Sequence, residues 1–241
     1  MLEVRDLSKS FGGIQAVQRC NFSVQEGSVT GLIGPNGSGK TTCFNLITGF
    51  LKPDTGEVRF KGNPITARRP SQICHEGISR TFQITRLFKN LTALENMIVP
   101  VRQVGFRTLF HDSVKRHEEE RAMELLSFVG LTELKDELAG NLSFGQQKLL
   151  EFAAILMAEP ELVLLDEPAG GVNPVMIEKI EGHIRELNER GITFLVVEHN
   201  MRMVMGLCDY VIVLHHGTNV AEGEPEEIQN DPRVLEAYLG D

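Results

Sequence analysis

Hydrophobic and polar positions along the chain alternate in the manner of a mixed α/β protein. Near the N-terminus, short apolar or alternating runs predict strands at 2–7, 21–24, 28–33 and 57–60. After Pro160 the pattern predicts, in order, a strand at 161–166, a helix at 174–190, a strand at 192–198, a helix at 201–207 and a strand at 210–214. Strands and helices that alternate in this way are typical of a mainly parallel sheet.

The middle of the chain has a different periodicity. From about residue 91 to residue 157 the pattern is mostly helical, and the charged stretch 115–121 inside it is predicted to be the solvent-facing side of a helix. A helical insertion therefore divides the α/β core. The length of 241 residues is within the range for one large α/β domain.

Charge and composition exclude some function classes. The chain has 24 Lys and Arg residues against 33 Asp and Glu residues, a net charge of −9, which argues against a nucleic-acid binder because phosphate backbones require basic surface. The four cysteines are far apart and form no C-x-x-C pair, so neither a zinc site nor a disulfide framework is indicated. No apolar run has the length of a signal peptide or a membrane-spanning helix, and we expect membrane association only through a partner.

A phosphate-binding motif follows the strand predicted at 28–33 and precedes a helix. Its residues are, in order, Gly34, Pro35, Asn36, Gly37, Ser38, Gly39, Lys40, Thr41 and Thr42. They match G-x-x-x-x-G-K-[ST], in which glycine and small residues let backbone N–H groups surround a β-phosphate at the start of a helix. We expect Lys40 to contact the β- and γ-phosphates of a nucleotide and Thr41 to ligate Mg²⁺.

Two adjacent carboxylates end the strand predicted at 161–166. Asp166 suits the Mg²⁺ shell, and Glu167 is positioned to orient and deprotonate an attacking water. A pair of acidic residues after an apolar strand also serves as a helix cap. Its combination with the phosphate loop favours the catalytic interpretation.

A third motif carries a specific resemblance. The segment Asn141-Leu-Ser143-Phe144-Gly145-Gln146-Gln147 resembles the L-S-G-G-Q signature of the ATP-binding cassette (ABC) ATPases. In that family Ser143 and the backbone of Gly145, with Gln146 beside them, would contact the γ-phosphate of the nucleotide bound to the opposite subunit. Phe144 departs from the commonest pattern, which has glycine there.

Other positions match the same family in order. Gln83 resembles the Q-loop glutamine that contacts Mg²⁺ or water, and His199 resembles the switch histidine that bonds the γ-phosphate. Phe11 resembles the aromatic residue that stacks on adenine. Asn173 stands where the commonest pattern of the D-loop, the segment after the catalytic glutamate, has aspartate.

The resemblance implies an α/β P-loop NTPase core with an N-terminal antiparallel β-subdomain and an inserted helical subdomain. The whole chain, 1–241, would form one nucleotide-binding domain, with the core at about 1–86 and 143–241 and the helical part at about 87–142. It implies an ATPase with ATP and Mg²⁺ as cofactors, a dimer of identical or related subunits, and transmembrane permease partners. The expected location is cytoplasmic, peripheral on the inner face of the cell membrane.

Within the family two branches stay open. The stretch 80–96, with the signature segment and residues 170–174, is most similar to the ATPases of branched-chain amino-acid importers, whose solute-binding protein is an indirect partner. The tail at 223–240 is also similar to the ATPase of lipopolysaccharide extraction, which leaves an export system as the alternative. Among other classes, a P-loop GTPase needs an N-K-x-D-type motif, a P-loop kinase does not explain the signature segment, and non-transport ABC proteins usually carry two cassettes.

Overall fold

The computed structural model describes residues 1–81, 87–99 and 116–239. In chain order its strands are β1 (Leu2–Phe11), β2 (Ile14–Val24), β3 (Val29–Ile33), β4 (Thr55–Phe60), β5 (Asn63–Pro64), β6 (Ile78–Arg80), β7 (Leu162–Asp166), β8 (Thr193–Val197), β9 (Tyr210–His215) and β10 (Thr218–Gly223). Its helices are α1 (Lys40–Ile47), α2 (Pro70–His75), α3 (Ala93–Ile98), α4 (Arg116–Val129), α5 (Phe144–Leu156), α6 (Pro174–Glu189), α7 (Met201–Leu207), α8 (Pro225–Asn230) and α9 (Pro232–Leu239).

The strands form two sheets. A four-stranded sheet has the order β2-β1-β4-β5 and is antiparallel. A six-stranded sheet has the order β10-β9-β3-β8-β7-β6, and all its pairs are parallel except β10 with β9. Because β3, β7 and β8 are parallel neighbours, the loops that follow them lie at one edge of this sheet, where α/β proteins bind their ligands.

The six-stranded sheet separates two layers of core. Along each strand, alternate residues face opposite sides: Val163 and Leu165 join one cluster, and Leu162 and Leu164 join the other. The first cluster contains the buried faces of α3 to α7, and the second contains α1 and the four-stranded sheet. The central strands are buried on both faces, as parallel strands usually are.

The structure confirms the strands and helices predicted after Pro160 to within one residue at each end. The helical periodicity predicted from 91 to 157 corresponds to α3, α4 and α5, but residues 130–143 contain only two short 3₁₀ turns within an otherwise irregular connection. The first residues of α4, from Arg116, face solvent as predicted, and Ala122, Leu125 and Val129 form its buried side. Lys115 lies outside the described residues.

The predicted strands at 2–7 and 21–24 are too short. β1 and β2 are joined by a two-residue turn in which Gly12 and Gly13 both have positive φ. The first half of β2 is mostly exposed, and its pairing with β1 has three register shifts, so apolar and polar residues do not alternate there. β10 was not predicted for a related reason, because only two of its six residues are buried.

Within the described ranges, no helix combines the length and the apolar character that crossing a membrane requires. The division of the chain into a core and a helical subdomain stays a prediction.

Candidate nucleotide site

The predicted phosphate loop joins the end of β3 to the start of α1, and two of its glycines leave no room for a side chain. At Gly34, where φ is +145°, a Cβ would lie 2.0 Å from the carbonyl oxygen of Leu214 in β9. At Gly39, where φ is +104°, a Cβ would lie 2.4 Å from the carbonyl oxygen of Ala16 in β2. Only glycine adopts these angles at such close backbone approach. The loop is therefore held between the two sheets.

The other predicted loop residues surround the same turn: Pro35, Asn36, Gly37, Ser38, Thr41 and Thr42. Asn36 and Gly37 are exposed, and Ser38 is buried. The carbonyl of Ser38 accepts a hydrogen bond from the N–H of Gly217, at 2.9 Å. Thr41 lies in the first turn of α1 and is exposed to solvent.

Lys40 is the buried cation of this loop. Its Nζ donates to the carbonyl oxygens of Gly34 and Pro35, at 2.7 and 2.9 Å. Burial lowers the pKa of Lys40 below its ordinary value, and the nearby carboxylates of Glu167 and Asp166 oppose that shift. Lys40 is thus within electrostatic reach of both acidic residues, as the two motifs predict.

Asp166 ends β7 and has only 1% of its surface exposed. Its Oδ2 accepts a hydrogen bond from Nη2 of Arg80 at 2.7 Å, and its backbone N–H donates to Oγ1 of Thr81 at 3.2 Å. Its Oδ1 has no hydrogen-bond partner among the described residues. Buried polar atoms are almost always paired, so this oxygen needs an explanation.

The oxygen atoms of Asp166 and Thr41 are of the kind that Mg²⁺ binds. Mg²⁺ prefers hard oxygen ligands, and Oδ1 of Asp166 is a carboxylate oxygen that no described residue bonds. Thr41 contributes an exposed hydroxyl from the phosphate-loop helix. The third predicted ligand, Gln83, lies outside the described residues.

Glu167 and His199 are in direct contact. Nε2 of His199 lies 2.9 Å from Oε1 of Glu167, where the imidazole N–H donates to the carboxylate. Glu167 has a left-handed backbone, with φ of +50°, and its N–H donates to the carbonyl of Val197 at the end of β8. Non-glycine residues in this conformation are strained and cluster at functional sites. An acid held by an imidazole beside a lysine suits phosphoryl transfer to water.

The signature-like residues start α5. Oγ of Ser143 accepts from the N–H of Gln146, whose Oε1 accepts from the N–H of Ser143, and together they form a capping box. A Cβ at Gly145 would lie 2.9 Å from Cε of Met176, so this turn packs closely on α6. Within the described ranges, no hydrogen bond joins these residues to the phosphate loop of the same chain.

Phe144, the departure from the signature pattern, is exposed and lies beside the D-loop. A Cβ at Gly171 would be 3.0 Å from its ring. Asn173, the departure in the D-loop, caps α6, where its Oδ1 accepts from the N–H of Met176 at 2.9 Å. An amide therefore fills a capping role at this position.

Phe11 ends β1, next to the two-glycine turn. Its ring is half exposed, and the Nζ of Lys9 lies 5.7 Å from the ring centroid. The following strand carries Ala16, whose carbonyl contacts the phosphate loop. The hairpin thus brings an exposed aromatic ring to the strand pair that flanks the loop.

Sequence reasoning did not identify three charged residues of the site. Arg80 donates a hydrogen bond to Asp166. Glu198 accepts hydrogen bonds from the backbone N–H groups of Ala169 and His199. Lys148 donates to the carbonyl oxygen of Glu167 at 3.2 Å. Glu198 and Lys148 are buried, and the Arg80 side chain is only 5% exposed. A charge directly after an apolar run, here residues 194–197, is the sequence signal that marks Glu198.

Comparisons with known proteins agree with this geometry. The family model for the ABC transporter matches residues 17–170, more than half of the chain. A second model, the branched-chain amino acid ATP-binding cassette transporter, matches residues 218–241.

Full-length relatives are similar throughout. The whole chain is 43% identical to a probable branched-chain amino acid transport ATP-binding protein, LivG, of Archaeoglobus fulgidus, and covers 95% of it. It is 41% identical to the high-affinity branched-chain amino acid transport ATP-binding protein BraF of Pseudomonas aeruginosa and covers 98% of it.

The fold has solved counterparts. A nucleotide-free ATP-binding cassette from an ABC transporter superposes with a TM-score of 0.90 at 40% identity, over 100% of this chain and 99% of that one. A dimeric cassette in a post-hydrolysis state with ADP and Pi superposes with a TM-score of 0.81 at 28% identity, over 93% and 99%. This chain therefore belongs to the ABC transporter family, in which it is an ATP-binding, ATP-hydrolysing subunit.

Proposed function

We propose that this chain powers the import of branched-chain amino acids. Two observations support the substrate class: the full-length relatives are named for branched-chain amino acid transport, and the C-terminal residues 218–241 match the model of that branch. The same C-terminal match favours an importer over the lipopolysaccharide-extraction system that the tail also resembles. The observation that carries the ATPase chemistry is the contact of Glu167 with His199, beside Lys40.

In the proposed site, each residue has one task. Lys40 and the backbone N–H groups of the phosphate loop hold the β- and γ-phosphates, and Phe11 supports the adenine ring. Thr41 and Asp166, with Gln83, would hold Mg²⁺, which supplies charge neutralisation at the phosphate oxygens. Glu167 accepts the proton of the attacking water.

His199 is proposed to contact two groups, the side chain of Glu167 and the γ-phosphate. Its imidazole orients Glu167 through the 2.9 Å contact, and the resemblance of His199 to the switch histidine supports a contact with the γ-phosphate. Since little covalent chemistry falls to the protein in phosphoryl transfer, the rate depends on how accurately these groups are held.

We also propose that the signature residues act on the nucleotide of a second subunit. Ser143, Gly145 and Gln146 lie at the N-terminus of α5, where backbone N–H groups and the helix dipole favour an anion. A related cassette is a dimer with ADP and Pi bound, which supports a dimer for this chain. The second subunit is either an identical chain or a close relative.

The proposed partners are transmembrane permease subunits, with a solute-binding protein acting indirectly and no nucleic acid. The chain would then be peripheral on the cytoplasmic face of the cell membrane. The proposed division places the core at about 1–86 and 143–241 and the helical subdomain at about 87–142.

The test is ATP hydrolysis by the complete transporter in liposomes, with its solute-binding protein and with Leu, Ile or Val. We expect these amino acids to stimulate hydrolysis, whereas Glu or Lys at the same concentration does not. The same complex with Glu167→Gln is the control for contaminating ATPases. Stimulation by lipopolysaccharide or another solute in place of the three amino acids would contradict the import proposal and leave the ATPase intact.

A further inference from the structure

Glu198 is a buried carboxylate between the two loops that carry the proposed catalytic pair. It follows β8 directly, and only 3% of its surface is exposed. Its Oε1 accepts a hydrogen bond from the N–H of Ala169 at 2.6 Å. Its Oε2 accepts from the N–H groups of His199 and Asn200, at 2.8 and 3.0 Å.

These three donors belong to two separate chain segments. Ala169 lies two residues after Glu167, in the loop from β7 to α6, whereas His199 and Asn200 start the connection from β8 to α7. Asn200 also caps α7, since its Oδ1 accepts from the N–H of Met203 at 3.2 Å. One carboxylate therefore joins two loops that are 29 residues apart in the sequence.

The hydrogen bonds compensate the cost of burying the charge. A buried carboxylate is stable when several N–H groups point at its oxygens, and bonds to an ionised acceptor are about twice as strong as neutral ones. All three donors are backbone groups, so the carboxylate constrains the path of the main chain as well as side-chain positions.

The path of the main chain determines the relative position of the Glu167 and His199 side chains. Glu167 has a strained backbone, with φ of +50°, and such a residue keeps its conformation only where its surroundings hold it. On one side its N–H is bonded to the carbonyl of Val197. On the other side the next segment is held at Ala169 by Glu198, which also holds the backbone of His199.

We propose that Glu198 is a positioning residue for ATP hydrolysis, which holds the loops of Glu167 and His199 at the separation that the reaction requires. This inference rests on the proposed roles of Glu167 and His199. The carboxylate oxygens of Glu198 accept hydrogen bonds from the backbone N–H groups of Ala169, His199 and Asn200. Glu198 acts through the backbone of the two loops that carry Glu167 and His199.

The test is the Glu198→Gln variant in the complete transporter in liposomes. Glutamine keeps the size of the side chain but turns one accepting oxygen into an NH₂ group, which faces N–H donors and cannot accept from them. Because a displacement of about 1 Å costs up to about 100-fold in rate, we expect kcat for ATP to fall by about 10- to 100-fold. The KM for ATP and the affinity for a fluorescent ATP analogue should stay within about twofold, since the phosphate loop is unchanged.

Two further variants separate positioning from general stability. Asp209→Asn removes a carboxylate whose Oδ2 also accepts a backbone N–H, that of Val29, at the opposite end of β3 from the phosphate loop. It should lower the thermal midpoint without changing kcat. Glu198→Asp keeps the charge but is one methylene shorter, and we expect it to lower kcat as well.

The outcomes are distinct. A folded Glu198→Gln complex with wild-type kcat overturns the inference, and so does a parallel loss of kcat and nucleotide affinity that Asp209→Asn reproduces. If Glu198→Gln does not fold, Glu198→Asp decides in the same way. Failure of the proposed function itself would appear differently, as a Glu167→Gln complex that hydrolyses ATP at the wild-type rate.

Discussion

Arg80 and Asp166 form a buried ion pair, with Nη2 of the guanidinium 2.7 Å from Oδ2 of the carboxylate and the two side chains 5% and 2% exposed. The same guanidinium donates to Oδ1 of Asn45 at 2.6 Å and to Oγ1 of Thr48 at 3.2 Å, both in or next to α1. Arg80 thus connects the phosphate-loop helix to the end of β7. With Oδ2 engaged, Oδ1 is left for the proposed metal.

We expect Arg80→Met to destabilise the protein by about 3 kcal/mol, because it leaves a buried carboxylate without its counter-charge. Denaturant unfolding measures the effect. Arg116→Met, at a residue whose side chain is 93% exposed, is the control and should change the free energy of unfolding by less than about 0.5 kcal/mol.

The double variant Arg80→Met with Asp166→Asn should regain part of that loss, because it removes the isolated charge. An Arg80→Met protein that unfolds at the same denaturant concentration as the wild type would contradict the importance of the pair.

Two glycines of the phosphate loop should respond differently to alanine. Gly34→Ala brings a Cβ to 2.0 Å from the backbone of Leu214 and should cost about 3 kcal/mol or more. Gly37, with φ of +79°, has no atom within 4 Å of an added Cβ, so Gly37→Ala should cost only about 1 kcal/mol. Thermal unfolding of the two variants tests this order, and equal losses would show that the contact at Gly34 is relieved by a small shift.

Lys148, in α5, supports the backbone of Glu167. Its Nζ donates to the carbonyl of Glu167 at 3.2 Å and lies 5.7 Å from the ring centroid of Phe144. Lys148→Met keeps the apolar stem and removes the donor, and we expect kcat for ATP to fall by about 3- to 10-fold with little change in ATP affinity. Retention of wild-type kcat in a steady-state ATPase assay would mean that the bond does not matter for turnover.

His183 should make stability depend on pH. Its ring lies between Phe128 and Phe152, with centroid distances of 4.5 and 6.5 Å. Burial and the charge of Lys179 lower its pKa, and Glu186 opposes the shift. As the pH falls below the ordinary histidine value of about 6.5, the unfolded chain binds the proton first, so stability is full above that value and declines as the pH falls toward the folded-state pKa.

The variant His183→Phe keeps an aromatic ring and removes the titration. Thermal midpoints between about pH 7.5 and pH 5 should then decline less than those of the wild type. Parallel curves for the two proteins would assign the acid sensitivity to other groups.

Local chemistry explains what could be predicted from the sequence. The order of strand, loop and helix around Lys40 was predictable because the glycines and the lysine are adjacent in the chain. Asp166 was predictable as the end of an apolar strand. Each of these signals is contained within about ten residues.

Features that depend on distant contacts were not predictable. Asp166, which Arg80 bonds, lies 86 residues from it, and Ala169, which Glu198 bonds, lies 29 residues from it; nothing near Arg80 or Glu198 in the sequence identifies these distant partners. The first half of β2 is mostly exposed, so it lacks the alternation of apolar and polar residues that predicts a strand. It is a strand because it pairs with β1. The role of the signature residues cannot be seen in a single chain, because their proposed ligand is bound to another subunit.

The most direct test of the proposed mechanism is the Glu167→Gln variant, measured for ATP hydrolysis and for oligomeric state with Mg²⁺ and ATP. Removing the proton acceptor should slow hydrolysis by at least about 100-fold while ATP binding persists, and the chain should accumulate as an ATP-bound dimer in sedimentation. Hydrolysis at the wild-type rate would contradict the assignment of Glu167 as the base at this site.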